Sequence, residues 1–168
     1  MDYINTNIKS VKFRKTTKED AKIILELIKE LAAYEKMIGY VEATEERLIE
    51  SIYEKHQAEA LLIEYNEKVV GYIIYYYNFS TFVGRAGLYL EDIYIRPEYR
   101  GRGIGKEVFN VLAKIAKEEK CERFEWVCLD WNKSSLEFYS RLGAEKQKQW
   151  IIHRLDKKSI EEISENGC

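Results

Sequence analysis

The chain has 168 residues, 46% of them hydrophobic and 33% charged, which suits one compact domain with a sizeable core and a well-solvated surface. Its 27 basic and 29 acidic residues leave a formal net charge of −2. That balance argues against a global pull toward nucleic acid or an anionic membrane, so any anion site must be local.

No apolar run reaches the ~18 residues that a membrane span needs. The polar stretch 1–10 lacks the apolar core of a signal peptide. The expectation is a single domain over 1–168, in the cytoplasm, with residues 1–10 a flexible lead-in. Val11–Lys15 reads as a short strand. Thr17 opens a capping box, with Asp20 a shorter stand-in for the usual Glu or Gln. The helix after it sets Ile24, Leu27, Ile28 and Leu31 on one stripe and runs to about Ala33, with Gly39 breaking the pattern. Thr44 caps a second helix ending near Glu54. Residues 60–65 and 69–77 are apolar, β-branched and aromatic runs, and Asn66-Glu67-Lys68 between them predicts a hairpin. Residues 78–86 read as a loop, and 87–95 as a third strand stopped by Pro97.

A glycine-rich turn then opens a helix whose Ile104, Val108, Val111, Leu112 and Ile115 share one face. Residues 123–129 predict another strand. Asn132 is an N-cap for a helix over Lys133–Arg141 that Gly143 stops. Residues 148–155 predict a last strand, and 157–163 a tail helix. The order β-α-α-β-β-β-α-β-α-β implies an α+β (mixed α/β) fold around one sheet.

Cys121, Cys128 and Cys168 form an odd set without metal-ligand spacing, so neither structural disulfides nor a metal site is expected. Cys128, in an apolar run, reads as a buried small hydrophobe. His56 and His153 lie far apart, in no triad or metal pattern.

The chemical signal is Arg100-Gly101-Arg102-Gly103-Ile104-Gly105, between a strand and a helix. Alternating glycines let backbone pass close to a ligand. The helix start offers unpaired N–H groups and a positive dipole end. Arg100, Arg102 and Lys106 add charge, and a pyrophosphate fits such a cradle. A phosphate-binding P-loop would need glycine at Arg100 and Ser or Thr at Glu107, and a dinucleotide fingerprint would need glycine at Lys106. A plain flexible turn is the alternative.

This segment resembles the acetyl-CoA signature of the GNAT N-acetyltransferase superfamily. Leu90-Glu91-Asp92-Ile93-Tyr94-Ile95-Arg96-Pro97 before it, and Trp131-Asn132 with Phe138-Tyr139-Ser140-Arg141-Leu142-Gly143-Ala144 after it, match the same family in order and spacing. Leu27-Ile28-Lys29-Glu30-Leu31-Ala32-Ala33-Tyr34-Glu35 is similar to the first helix of the diamine (spermidine/spermine) N-acetyltransferases, a subgroup that includes thialysine acetyltransferases. The resemblance implies the GNAT acyl-CoA N-acyltransferase fold, a central, mostly antiparallel twisted sheet flanked by helices. It also implies acetyl-CoA as co-substrate, a small-molecule amine as acceptor, and a homodimer. Neither metal, nucleic acid nor membrane is expected.

Acetyl transfer to an alkylamine of pKa ~10.4 requires removing its proton, stabilising an oxyanion and protonating a thiolate whose parent thiol has a pKa of ~8.5. By resemblance, Tyr139 is the acid that protonates the coenzyme A sulfur, its hydroxyl being a neutral donor. Glu91 is the base, through water. On a regular strand Glu91 and Asp92 point to opposite faces, so one of them faces the cleft. Ile93 and Ile95 are implied to supply amides to the oxyanion and pantetheine arm, on a strand the family bulges, and Tyr94 lies between them. Ile104, Gly105, Lys106, Asn132 and Ser135 match cofactor positions. Tyr34 and Glu35 match residues of the amine groove, and Glu35, Glu91 and Asp92 together would attract a cation. Two departures remove negative charge: Ser80 and Phe82 stand where the subgroup has an acid and a tryptophan, and Lys146, Gln147, Lys148 and Gln149 replace acidic residues. They disfavour a long polyamine and favour a diamine or a lysine-like amine. A peptide acetyltransferase and a non-catalytic acetyl-CoA-binding module remain as alternatives.

Overall fold

The computed structural model describes residues 2–166, so Cys168 lies outside the described residues. The chain divides into two compact units, Met1–Val127 and Cys128–Cys168. The first holds a six-stranded sheet in sequence order. It comprises β1 (Tyr3–Asn5), β2 (Val11–Lys15), β3 (Glu59–Tyr65), β4 (Lys68–Ser80), β5 (Arg85–Ile95) and β6 (Phe124–Trp126). All neighbours are antiparallel except β5 and β6, which run parallel. A mostly antiparallel sheet flanked by helices is the α+β architecture expected.

The first helix, α1, spans Ala21–Tyr34. The Thr17 N–H donates to the Asp20 carboxylate at 2.9 Å, closing the entry turn that the capping-box pattern predicts. The helix ends at Tyr34, within a residue of the expected Ala33: Lys36 adopts φ 60°, and Met37 N–H reaches back to Ala32 O at 2.7 Å. This is a Schellman-type stop. Thr44 accepts from Arg47 N–H to start α2 (Glu45–Leu48), which runs on as a wider π turn to Glu54. Ile24 and Leu27 of α1 and Ile52 of this segment bury against Leu62, Tyr72, Ile74 and Tyr94, forming the core on one face of the sheet. On the other face, Phe109 of α3 (Ile104–Glu118) packs tilted against Phe124 and edge-on against Trp126 of β6, with centroids 5.5 and 4.8 Å apart.

Several boundaries differ from the sequence reading. Residues 1–10, expected to be a flexible lead-in, carry β1. Thr6 Oγ1 closes its turn by donating toward Ile8 O and Val11 O, and Asn7 bonds Glu107 of α3 through its backbone N–H at 2.8 Å. These are side-chain and long-range contacts that no short-range apolar pattern reveals. The supposed loop 78–86 is a hairpin, because Asn78, Phe79 and Ser80 pair with Gly87, Ala86 and Arg85. Asn66 and Glu67, both at positive φ, form the turn of the earlier hairpin.

In the second unit, α4 occupies Lys133–Arg141 as predicted, and Gly143 follows it at φ 86°. The expected strand 148–155 does not form. No strand occurs among the described residues of this unit, so the run has no ladder partner there, and Trp150, Ile151, Ile152 and Leu155 are exposed. The tail helix α5, Lys157–Asn166, is longer than expected. No helix among the described residues is long and apolar enough to cross a membrane.

Candidate active site

The decisive local feature is in β5. Tyr76 pairs with Tyr89, Tyr75 with Leu90, and Ile74 with Asp92. Glu91 has no cross-strand partner of its own and is the extra residue of a β-bulge. Cross-strand partners share a face. Tyr89 therefore lies on the face of Tyr76 and Ile74, and so does Asp92, three residues on. In a regular strand Glu91 would share the face of Ile74 and Asp92 the opposite one; the bulge resets the alternation and gives that place to Asp92.

Asp92 thereby arrives beside the core on the α1 side. The Tyr72 hydroxyl donates to its Oδ2 at 3.3 Å. Asp92 retains some exposed surface, yet its carboxyl is pushed up to about 6. Burial is the largest cause and the charge of Glu91 the next; the Tyr72 hydrogen bond pulls it back, and Glu35 adds a smaller push. Glu35, just past the end of α1, is itself pushed up by burial. Tyr72 is fully buried. Burial raises its hydroxyl pKa, with Asp92, Glu35 and Glu91 all adding to the rise. Glu35, Glu91, Asp92 and Tyr72 thus form one electrostatic cluster, which brings together three of the four residues assigned to the amine by resemblance. The fourth, Tyr34, is half-exposed and lies 4.5 Å beneath the Arg100 guanidinium. Tyr72 went unnoticed in the sequence because it belongs to a run rich in tyrosine. Only its register opposite Tyr94 and its bond to Asp92 single it out.

The same strand presents its other edge differently. Arg96 N–H donates to Val70 O on β4 at 2.9 Å. The alternation of a strand then turns the Ile95 and Ile93 amides the opposite way. On that edge β6 pairs only with Leu88, Tyr89 and Leu90, so the amides of Ile93 and Ile95 emerge beyond the end of β6. Tyr94 contributes its ring to the core, 6.5 Å from that of Tyr72.

The glycine turn follows. Gly101 and Gly103 adopt φ 74° and 80°, values that a side chain strongly disfavours. Gly103 is the N-cap of α3. The Lys106 and Glu107 amides fold back to Gly103 O at 3.1 and 3.2 Å, and the amides ahead of them have no helical partner, as at any helix start. The arginines are less free than their sequence suggests. Arg100 lies over Tyr34 and donates to Ile95 O at 2.8 Å, and Arg102 lies over Tyr65 and Tyr99. Lys106 is exposed. Ile104 points into the core, so only its backbone is available to a ligand. Sequence reasoning also missed Glu107. Burial alone would raise its pKa, but hydrogen bonds from Asn7 and Asn110 outweigh it and hold the carboxyl below its usual range.

Within the second unit, Asn132 caps α4 by accepting from Ser135 N–H at 3.3 Å. Burial, with Cys128 adding to it, pushes Tyr139 up to about 12, and a hydrogen bond with Ser135 opposes this. The hydroxyl therefore stays protonated at neutral pH. Cys128, expected to be buried, is only partly so, its Sγ 3.5 Å from Leu129 O. Among the described residues no group of three or more His, Cys, Asp or Glu is placed to hold a metal.

Residues 24–144 match the model of the acetyltransferase (GNAT) family. A thialysine N-epsilon-acetyltransferase of Bos taurus is 36% identical over 166 residues, 92% of this chain and 97% of the relative. A spermidine/spermine N(1)-acetyltransferase-like protein of Homo sapiens is 31% identical over 152 residues, 84% of this chain and 22% of the relative. An integron cassette protein from the mobile metagenome of V. cholerae shares the fold with a TM-score of 0.78 and 22% identity, over 94% of this chain and 99% of that one.

Proposed function

The chain belongs to the acetyltransferase (GNAT) family, and from that premise we propose that it moves the acetyl group of acetyl-CoA to a primary amine of a small diamine, polyamine or lysine-like compound, by direct attack in a ternary complex. The observation that carries this reading is the bulge at Glu91. It turns Asp92 onto the α1 side, where Glu35 and Glu91 act on it, to attract a cationic substrate, while the amides of Ile93 and Ile95 emerge on the opposite edge for the thioester arm.

The roles follow from the chemistry. The backbone of the Gly101–Gly105 turn and the first turn of α3 hold the pyrophosphate, with Arg100, Arg102 and Lys106 supplying charge nearby. Asn132, which caps α4 by accepting from Ser135 N–H, and Ser135 contact the cofactor. Tyr34 and Glu35 line the amine groove, and Asp92 lends a second carboxylate. Glu91 meets the ammonium and draws off a proton through water. Tyr139 protonates the departing thiolate. The similarity to thialysine acetyltransferases favours a lysine-like acceptor, as do Ser80, Phe82 and the Lys146-Gln147-Lys148-Gln149 stretch, which lower the negative charge a long polyamine would want. This reading treats residues 1–168 as one acetyltransferase domain, since the family match draws on residues of both units. It includes a homodimer and a cytoplasmic location.

The test is coenzyme A release from acetyl-CoA with putrescine, spermidine, spermine, lysine, thialysine and an unrelated peptide. Turnover is expected with thialysine or a diamine and to be weakest with spermine. Turnover with the peptide alone, or with nothing despite tight acetyl-CoA binding, overturns the small-amine reading.

A further inference from the structure

A proton taken from the substrate must rest somewhere, and Glu91, an exposed residue at the bulge, is poorly placed to keep it from exchanging with water. Behind it lies a better-enclosed acceptor. We infer that Asp92 is the group on which the amine's proton comes to rest, and that the buried Tyr72 hydroxyl is a positioning residue that fixes the accepting carboxylate. The inference rests on the amine-acetyltransferase reading and deepens it.

Three observations carry it. The bulge turns Asp92 onto the same side as Ile74 and Tyr72 instead of the opposite one. Tyr72 has no exposed surface and its hydroxyl donates to Asp92 Oδ2, leaving the carboxylate's other lone pairs for a proton. The groups that act on the Asp92 charge are Tyr72 from β4, Glu91 from β5 itself and Glu35 from the end of α1; the core around Tyr72 also holds the hydroxyl-bearing Tyr94 and Tyr53 beside the uncharged Ile24, Leu27 and Ile74. A carboxyl raised to about 6 is ionised, and so able to accept, in a neutral solution, and it is a better base than an ordinary aspartate. The balance is simple. One N–H bond of the ammonium breaks and an O–H bond forms on Asp92. The freed lone pair attacks the acetyl carbon, and after product leaves Asp92 returns the proton to solvent. The proton that Tyr139 gives to sulfur is replaced by the second one lost from nitrogen.

The experiment is the pH profile of kcat/KM for thialysine, or for the best amine found, in wild type, Tyr72→Phe, Asp92→Asn and Glu91→Gln. The acid limb of such a profile reports ionisation in the free enzyme. Tyr72→Phe keeps the ring in the core and removes a bond that stabilises the charged carboxylate, so the limb is expected to move to higher pH, by up to about one unit. Asp92→Asn should lower the rate on the order of 100-fold and abolish the limb. Glu91→Gln should raise KM for the amine and slow turnover, because it removes the relay through water, but leave the pH of the limb in place. Unchanged acetyl-CoA affinity in each variant confirms a native fold. A limb that stays put in Tyr72→Phe, or that vanishes in Glu91→Gln and survives in Asp92→Asn, overturns the inference while leaving the acetyltransferase standing. Absence of turnover with every amine instead overturns the reading beneath it.

Discussion

Glu91 and Asp92 are neighbours in the sequence with unlike surroundings, and the difference arises from one unpaired residue. The acidic pair itself is legible in the sequence, as is its value to a cationic substrate. The direction of the two side chains is not, because the period of two that assigns strand faces assumes an unbroken ladder. The bulge is set by the register of β4 on β5, a relation between residues about twenty positions apart that no local pattern encodes. Tyr139 is the opposite case. Its position in Phe138-Tyr139 picks it out among 13 tyrosines, and its environment, which holds the hydroxyl up to about 12, keeps the proton it would donate. Tyr139→Phe should therefore lower kcat on the order of 100-fold while leaving acetyl-CoA affinity nearly unchanged. Rapid-mixing kinetics alongside calorimetric binding separate the two quantities. Full turnover in this variant removes Tyr139 from the acid role.

Among the elements, those with a long period or strong stop signals are read well. The stripes of α1 and α3, the Thr44 and Asn132 caps and the Asn66-Glu67 turn all fall where the residues put them. Elements that depend on a distant partner are read poorly: the turn after β1 is tied to Glu107, one hundred positions from Asn7, and the 148–155 run stays irregular for want of a ladder. The glycine turn combines both kinds of information. Its spacing marks it in the sequence, and the positive φ of Gly101 and Gly103 explains why those positions are glycine. A Cβ at Gly103 would lie 3.4 Å from Ile8 Cδ1, an ordinary contact, so Gly103→Val acts chiefly through backbone strain, about 1–2 kcal/mol, and through the side chain it adds over the cradle. Acetyl-CoA affinity should fall about tenfold or more, an estimate from 1.4 kcal/mol per decade, measurable by calorimetry. A folded variant that binds acetyl-CoA as tightly as wild type sinks the cradle assignment.

For the molecule as a whole, the amine site and the fold pull against each other. Asp20, bonded first to Arg14, and Glu30, bonded first to Arg96, are held below the usual carboxylate range. Each stabilises the fold above its unfolded pKa, and that contribution is lost as pH falls through the lowered native value. Asp92 has the reverse sign. Its native carboxyl is raised to about 6 from 3.8, so between those values the folded chain holds more protons than the unfolded one, and stability falls as pH rises through that window. The cost at neutral pH is about 1–3 kcal/mol, from 1.36 kcal/mol per unit with allowance for the surface Asp92 leaves exposed. Stability should consequently be highest toward the acid end of the Asp92 window, where Asp20 and Glu30 begin to lose their contributions. Asp92→Asn removes a buried charge while keeping the side chain's shape and an acceptor for the Tyr72 hydroxyl. The variant should melt several degrees higher than wild type at pH 7.5 and show little difference at pH 4.5, where Asp92 is already protonated. Thermal unfolding followed by circular dichroism across that range measures both. A variant destabilised equally at the two pH values would mean that the Asp92 charge is well solvated, and the enclosed acceptor inferred above would lose its physical basis.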